Sequence, residues 1–116
     1  LLVIGWAEVA VAGSEQDSGE LLGANDAIDS ERIRHKLRQT RESDYFDVLG
    51  VTRDSTPEEA EQGYRRMSQD FSAGKFSIKV RVDMQGELTE IGQVLADARS
   101  ILADTTLRVS YARHLA

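Results

Sequence analysis

"DYFDVLGVTRDSTPEEAEQGYRRMSQDF", residues 44–71, decides the fold. Its middle carries the clearest helix start in the chain. Thr56 sits at the N-cap position, where its hydroxyl accepts from a backbone N–H, and Glu59 three residues later completes a capping box. Pro57 falls at the first helical position, where the missing N–H would have been unpaired anyway. Ala60, Tyr64, Met67 and Phe71 then step by 4, 3 and 4, which places them on one helical stripe, read here as core. Upstream, "SDYFDVLG" (43–50) fits one or two helical turns closed by Gly50, a favoured C-cap residue. Tyr45 and Leu49 lie four apart and share a face.

Towards the C-terminus, "GELTEIGQVLADARSILAD" (86–104) repeats the stripe. Leu88, Ile91, Leu95, Ala98 and Leu102 step by 3, 4, 3 and 4. Two stripes of matching length bury each other as an antiparallel helical hairpin. Asp104 caps a last short helix with Leu107, Tyr111 and Leu115 on one side. One stretch departs from a purely helical pattern. "FSIKVRVDM" (76–84) sets Phe76, Ile78, Val80, Val82 and Met84 at strict period two. By pattern and β-propensity this is a short strand, which needs a partner strand for its backbone groups. The other reading is an extended or loosely helical connection whose apolar residues cap one end of the hairpin. The fold class expected is therefore all-α, a hairpin with short flanking helices and these two alternatives at 76–84.

Towards the N-terminus, "SERIRHKLRQTRE" (30–42) reads as a basic amphipathic helix. Ser30 or Asp29 caps it, Ile33 and Leu37 form its apolar side, and Arg32, Arg34, Lys36, Arg38 and Arg41 cover the rest. Residues 13–29 are rich in Gly, Ser, Asp and Glu and read as a flexible acidic linker. The opening "LLVIGWAEVAVAG" is apolar but shorter than the roughly 20 residues of a membrane span, and it lacks the basic start of a signal peptide. It reads as a core element entered mid-protein, so the chain is expected to be a piece of a longer one. The resulting organisation is an apolar element (1–12), an acidic linker (13–29), a basic helix (30–42) and a helical domain (44–115).

Charge and composition narrow the function classes. The net charge of −6 is concentrated at the start: residues 1–29 carry six acids and no Lys or Arg, and the remainder is balanced. A nucleic-acid binder is expected to show a basic excess, so no nucleic-acid partner is expected. With only Ile33 and Leu37 as strong apolar residues on the basic helix, no membrane partner is expected either. There is no cysteine and there are only two histidines, His35 and His114, far apart, so neither a thiolate site nor a His-rich metal cluster is available. Absence of cysteine fits a cytoplasmic setting. Ser72 lacks a neighbouring His or a nucleophile elbow, Glu58 and Glu59 are adjacent and diverge on a helix, and no Gly-rich phosphate loop is present. The expectation is no enzyme, no cofactor and no metal.

The quoted stretch resembles the opening of a J domain, the DnaJ-type partner of DnaK-type chaperones. Asp44, Tyr45, Phe46, Leu49, Gly50, Val51, Tyr64, Arg65, Arg66 and Phe71 fall on the family pattern. "ARSILADTTLRVSYARHL" is similar to its closing stretch, through Ala98, Leu102, Asp104, Arg108 and Tyr111. The likeness covers 44–115, well over half of the chain. The connection from Phe76 to Gly86 resembles a variant found in multidomain signalling proteins of deltaproteobacteria, which makes a bacterial source the expectation.

The resemblance implies a mechanism, and the chain departs from it. In the family a His-Pro-Asp loop contacts the chaperone's ATPase domain and linker and triggers hydrolysis. Here Ser72, Ala73 and Gly74 stand in those places, and only the trailing base, Lys75, remains. Ser72 cannot mimic an imidazole, and Gly74 removes the charge. The family's second helix is basic and docks on an acidic surface. Residues 57–70 carry Glu58, Glu59, Glu61 and Asp70 against Arg65 and Arg66, so steering toward an acidic partner is weak or reversed.

The function expected from this is a J-like interaction module that does not stimulate a DnaK-type ATPase. It would bind another protein or a neighbouring domain through Arg65, Arg66, Gln69, Lys75, Lys79 and Arg81. The alternative is a regulator or atypical co-chaperone that meets a DnaK-type chaperone or an intact J protein. An exposed apolar face around Phe76, Ile78 and Val80 would favour that alternative.

Overall fold

The computed structural model describes residues 15–115, with side chains from residue 25 onward. The apolar element expected at 1–12 lies outside the described residues. Six helices follow in order: α1 (Glu15–Glu42), α2 (Tyr45–Leu49), α3 (Pro57–Asp70), α4 (Ile78–Asp83), α5 (Gln85–Leu102) and α6 (Thr105–Leu115). A 3-10 turn, Ala73–Lys75, separates α3 from α4. Among the described residues there is no strand, and the fold is all-α.

The centre of the molecule is α5, which packs against α1, α2, α3, α4 and α6. Ile91, Leu95, Ala98 and Leu102 of its stripe are buried. Glu61, early in α3, meets Arg99, late in α5, at 2.7 Å, so the two helices run antiparallel as the hairpin reading requires. Each fully buried Leu or Ile contributes about 1.5–3 kcal/mol of hydrophobic stabilisation. Three of the caps read from sequence, those at Thr56, Gly50 and Asp104, are present. Thr56 Oγ1 accepts from the Glu59 amide at 3.1 Å and Glu59 Oε1 accepts from the Thr56 amide at 2.8 Å. Gly50 closes α2 at φ 71°, and Asp104 Oδ1 accepts from the Leu107 amide at 2.9 Å.

Helix α2 has five residues, too few to persist by itself. Its ends are held from other elements. The Tyr45 amide at its start donates to the Tyr111 hydroxyl at 2.9 Å, and the two rings stack at 5.0 Å. At its far end Lys36 Nζ donates to the Val48 carbonyl and Gln39 Nε2 to the Asp47 carbonyl. Phe46, Val48 and Leu49 are buried between these ties. Helix α3 reaches α2 over small residues. A β-carbon placed on Gly63 would lie 2.6 Å from the Leu49 carbonyl oxygen, so glycine is what permits the approach.

One sequence expectation is corrected. The linker expected at 13–29 is helical from Glu15 on, and the basic helix of 30–42 is the second half of a 28-residue α1. Ser30 and Asp29 are interior to it and cap nothing; Asp29 pairs with Arg32 at 3.2 Å instead. The glycines of the segment each cost about 1 kcal/mol against Ala. Extension from a docked second half avoids the nucleation cost.

Of the two readings of 76–84 the strand is absent and the helical connection is what forms: α4 and its flanks occupy that stretch. Strict alternation contains a period-four subset, and the helix uses it. Phe76, Val80 and Met84 are buried, whereas Ile78 and Val82 are 71% and 67% exposed. Ser77 starts the helix by accepting from the Val80 amide, and its hydroxyl donates to Asp26 of α1 at 2.8 Å.

Candidate functional site

The turn after α3 is built by its own backbone. Phe71 ends the helix with its amide on the Met67 carbonyl at 3.0 Å. The Lys75 amide donates to the Ser72 carbonyl at 3.0 Å and the Phe76 amide to the Ala73 carbonyl at 3.2 Å. The Ser72 hydroxyl is spent locally, donating to the Gln69 carbonyl at 3.1 Å. Ser72, Ala73, Gly74 and Lys75 are all exposed. The turn presents one charge, that of Lys75, and the triplet itself presents none. Gly74 is not conformationally required: a β-carbon there would meet nothing within 4 Å, and its φ is not positive.

The remaining sequence candidates are surface groups on three elements. Arg65, Arg66 and Gln69 are exposed on α3, Lys75 ends the turn, and Lys79 and Arg81 are exposed on α4. They form no hydrogen bond or ion pair with one another among the described residues. Arg65 leans on Glu61 at 3.7 Å. Lys79 binds Asp83 at 2.9 Å, and that hydrogen bond raises the Lys79 pKa above its ordinary 10.5. Arg66, Lys75 and Arg81 pair with no carboxylate within 4 Å among the described residues. Of the acids of α3, Glu58, Glu59 and Asp70 are exposed, while Glu61 is engaged by Arg99.

A second feature was not legible in the sequence. Along the outer side of α1 a shallow open groove of ≈ 510 Å³ is lined by Ile28, Glu31, Arg32, His35, Lys36, Arg38 and Phe71. Phe71, the residue before the turn, joins it to α3. The Arg32 guanidinium lies 5.7 Å and the Lys36 ammonium 5.9 Å from the Phe71 ring centroid, close enough for cation–π attraction. Lys36 is only 5% exposed, and its ammonium is turned inward onto the Val48 carbonyl at 2.6 Å, so it gives the groove its aliphatic stem. Burial lowers the Lys36 pKa below 10.5, with Asp70 opposing the shift. The basic run of 30–42 was visible in the sequence, but which of its members face Phe71 depends on how α1 docks.

Among the described residues no group of three or more His, Cys, Asp or Glu could hold a metal ion. No helix among them is long and apolar enough to cross a membrane. No protein-family model matches the chain, and no solved structure matches it.

Proposed function

We propose that the chain is a non-catalytic J-like protein–protein interaction module that does not stimulate a DnaK-type ATPase and works within a larger multidomain protein. The observation that carries the reading is the exposed Ser72–Ala73–Gly74 turn. It stands where the resemblance puts the ATPase trigger, and it offers neither an imidazole nor a carboxylate. The acidic excess of α3 supports the same reading, because Glu58, Glu59 and Asp70 outnumber the exposed Arg65 and Arg66 and make steering toward the acidic surface that the family's partner presents weak or reversed. The retained part is the helical scaffold, and a scaffold without a trigger is useful as a binding surface.

One observation favours the second reading, a regulator that meets a DnaK-type chaperone or an intact J protein. Ile78 and Val82 form an exposed apolar step on α4, immediately after the turn. It is narrower than the face expected from sequence, because Phe76 and Val80 are buried.

Single-turnover ATP hydrolysis by a bacterial DnaK-type chaperone tests both. The chain alone is expected to leave the rate unchanged. Acceleration would overturn the first reading. Slowing of an intact J protein's stimulation in a mixture would select the regulator.

A further inference from the structure

We infer that the groove between α1 and Phe71 is a docking site for an acidic amphipathic helix of a partner protein. The inference deepens the reading of the chain as an interaction module and shares its premise. Three features of the groove specify the ligand. The first is apolar: Ile28 is 59% exposed, and it stands beside the half-buried Phe71 and the stems of Arg32 and Lys36. A leucine or phenylalanine laid on these atoms leaves water.

The second is charge. Arg38 is exposed and pairs with no carboxylate within 4 Å among the described residues. Arg32 holds Asp29 at 3.2 Å with one nitrogen, which leaves donors of its fork free. The lining carboxylate, Glu31, is answered by Arg34 at 3.1 Å. Among the lining residues the unanswered charge is therefore positive, and a complementary partner carries carboxylates beside its apolar residues, set toward Arg32 and Arg38 and away from Asp70, the exposed carboxylate next to Phe71 whose charge reaches Lys36.

The third is shape. The lining residues Ile28, Arg32, His35 and Arg38 follow α1 in steps of three and four, so the groove runs along a helix axis. An occupant matching that run presents anchors at helical spacing, the mode in which an amphipathic helix lies in a groove. An anionic membrane surface fits less well. The stripe offers one strongly exposed aliphatic residue, Ile28, and it includes a carboxylate, Glu31.

The test uses the full chain and a fluorescein-labelled helical peptide of Leu and Glu, with Leu at i, i+4, i+7 and i+11. A second peptide replaces every Glu with Lys. Anisotropy titrations are expected to show the Glu peptide binding at least about tenfold more tightly than the Lys peptide. Ile28→Asp and Arg38→Glu are each expected to weaken the Glu peptide by about tenfold or more, and Ile78→Asp on α4 to leave it unchanged. All three positions are exposed, so the variants fold, and their melting curves check this.

Equal binding of both peptides, no binding of the Glu peptide, or indifference to Ile28→Asp and Arg38→Glu would overturn the inference. So would loss of binding in Ile78→Asp, self-association of the chain that Arg38→Glu abolishes, or tighter binding to phosphatidylserine vesicles than to the Glu peptide. Acceleration of ATP hydrolysis by the chain would defeat the proposed function and leave the peptide titration standing, so the two failures are distinguishable.

Discussion

Lys36 Nζ donates to the carbonyl oxygen of Val48 at 2.6 Å, joining the second half of α1 to the C-terminal end of α2. A cation at the end of a helix meets carbonyls with no partner inside that helix. Lys36→Ala leaves a buried carbonyl without its donor and is expected to cost about 2–3 kcal/mol in urea unfolding. The pH dependence has a definite sign. Burial holds the folded pKa below 10.5, so between the two values the unfolded chain binds more protons. The stability of the wild type relative to Lys36→Met is expected to rise as pH rises toward 10.5.

Gly63 is expected to be the least replaceable glycine among the described residues. Its β-carbon would stand 2.6 Å from a backbone oxygen and 3.1 Å from Val51 Cγ1, and backbone cannot swing aside as a side chain does. Gly63→Ala should cost about 1–3 kcal/mol. Gly74→Ala meets open space and should be stability-neutral to within about 0.5 kcal/mol. Thermal melts of the two variants make the comparison.

The helical use of an alternating sequence predicts unequal costs across α4. Val80→Ala removes methyls from the core and is expected to cost about 2 kcal/mol. Ile78→Ala and Val82→Ala remove exposed methyls and should each stay within about 0.5 kcal/mol. A strand with one buried face would have charged all three equally, so three urea curves separate the two.

Arg41 and Glu90 join α1 to α5 through two parallel hydrogen bonds of 2.8 Å. The Arg41 hydrogen bond holds the Glu90 carboxyl below its ordinary 4.5. A carboxylate with a depressed folded pKa stabilises above the unfolded value and loses that contribution as pH falls through the folded one. The advantage of wild type over Glu90→Gln is expected at neutral pH, to vanish in the acid limb, and to shrink with added salt, as measured by melting temperature.

The turn can be given back what it lacks. Ser72 is extended, at φ −73° and ψ 146°, the conformation a following proline demands. Ala73 opens the 3-10 turn and its amide donates to no backbone carbonyl, so proline fits there, and Gly74 has room for a carboxylate. The triple variant Ser72→His, Ala73→Pro, Gly74→Asp is expected to fold as the wild type does and to gain partial stimulation of a DnaK-type ATPase. Adding Glu58→Lys and Asp70→Lys should raise it further. No gain in single-turnover hydrolysis from either variant would remove the proposed kinship of this turn with an ATPase trigger.

What the sequence disclosed follows the range of the interactions involved. The Thr56–Glu59 capping box and the Gly50 and Asp104 caps act within three residues, and all are present. The α5 stripe needs only its own periodicity. The alternation of 76–84 is ambiguous at short range, because every second alternate residue also falls on one side of a helix. Its burial pattern was decided by α1 and α5, which pack against α4. Gly63 and Lys36 were invisible for the same reason: one matters through Leu49 and the other through Val48, each more than ten residues away. The groove at Phe71 required both α1 and α3 in place.

The double reading of α4 has a further consequence for the life of the chain before it folds. "FSIKVRV" (76–82) alternates β-branched and aromatic residues with no proline, the composition from which intermolecular cross-β stacks grow. In the native state Ser77 caps the segment as a helix and Phe76, Val80 and Met84 are hidden. Lys79 and Arg81 interrupt the window as charged gatekeepers. The Asp26–Ser77 tie holds this window to α1, so where partly unfolded chains aggregate this is the segment expected to seed it, and the docking of α1 serves as its guard.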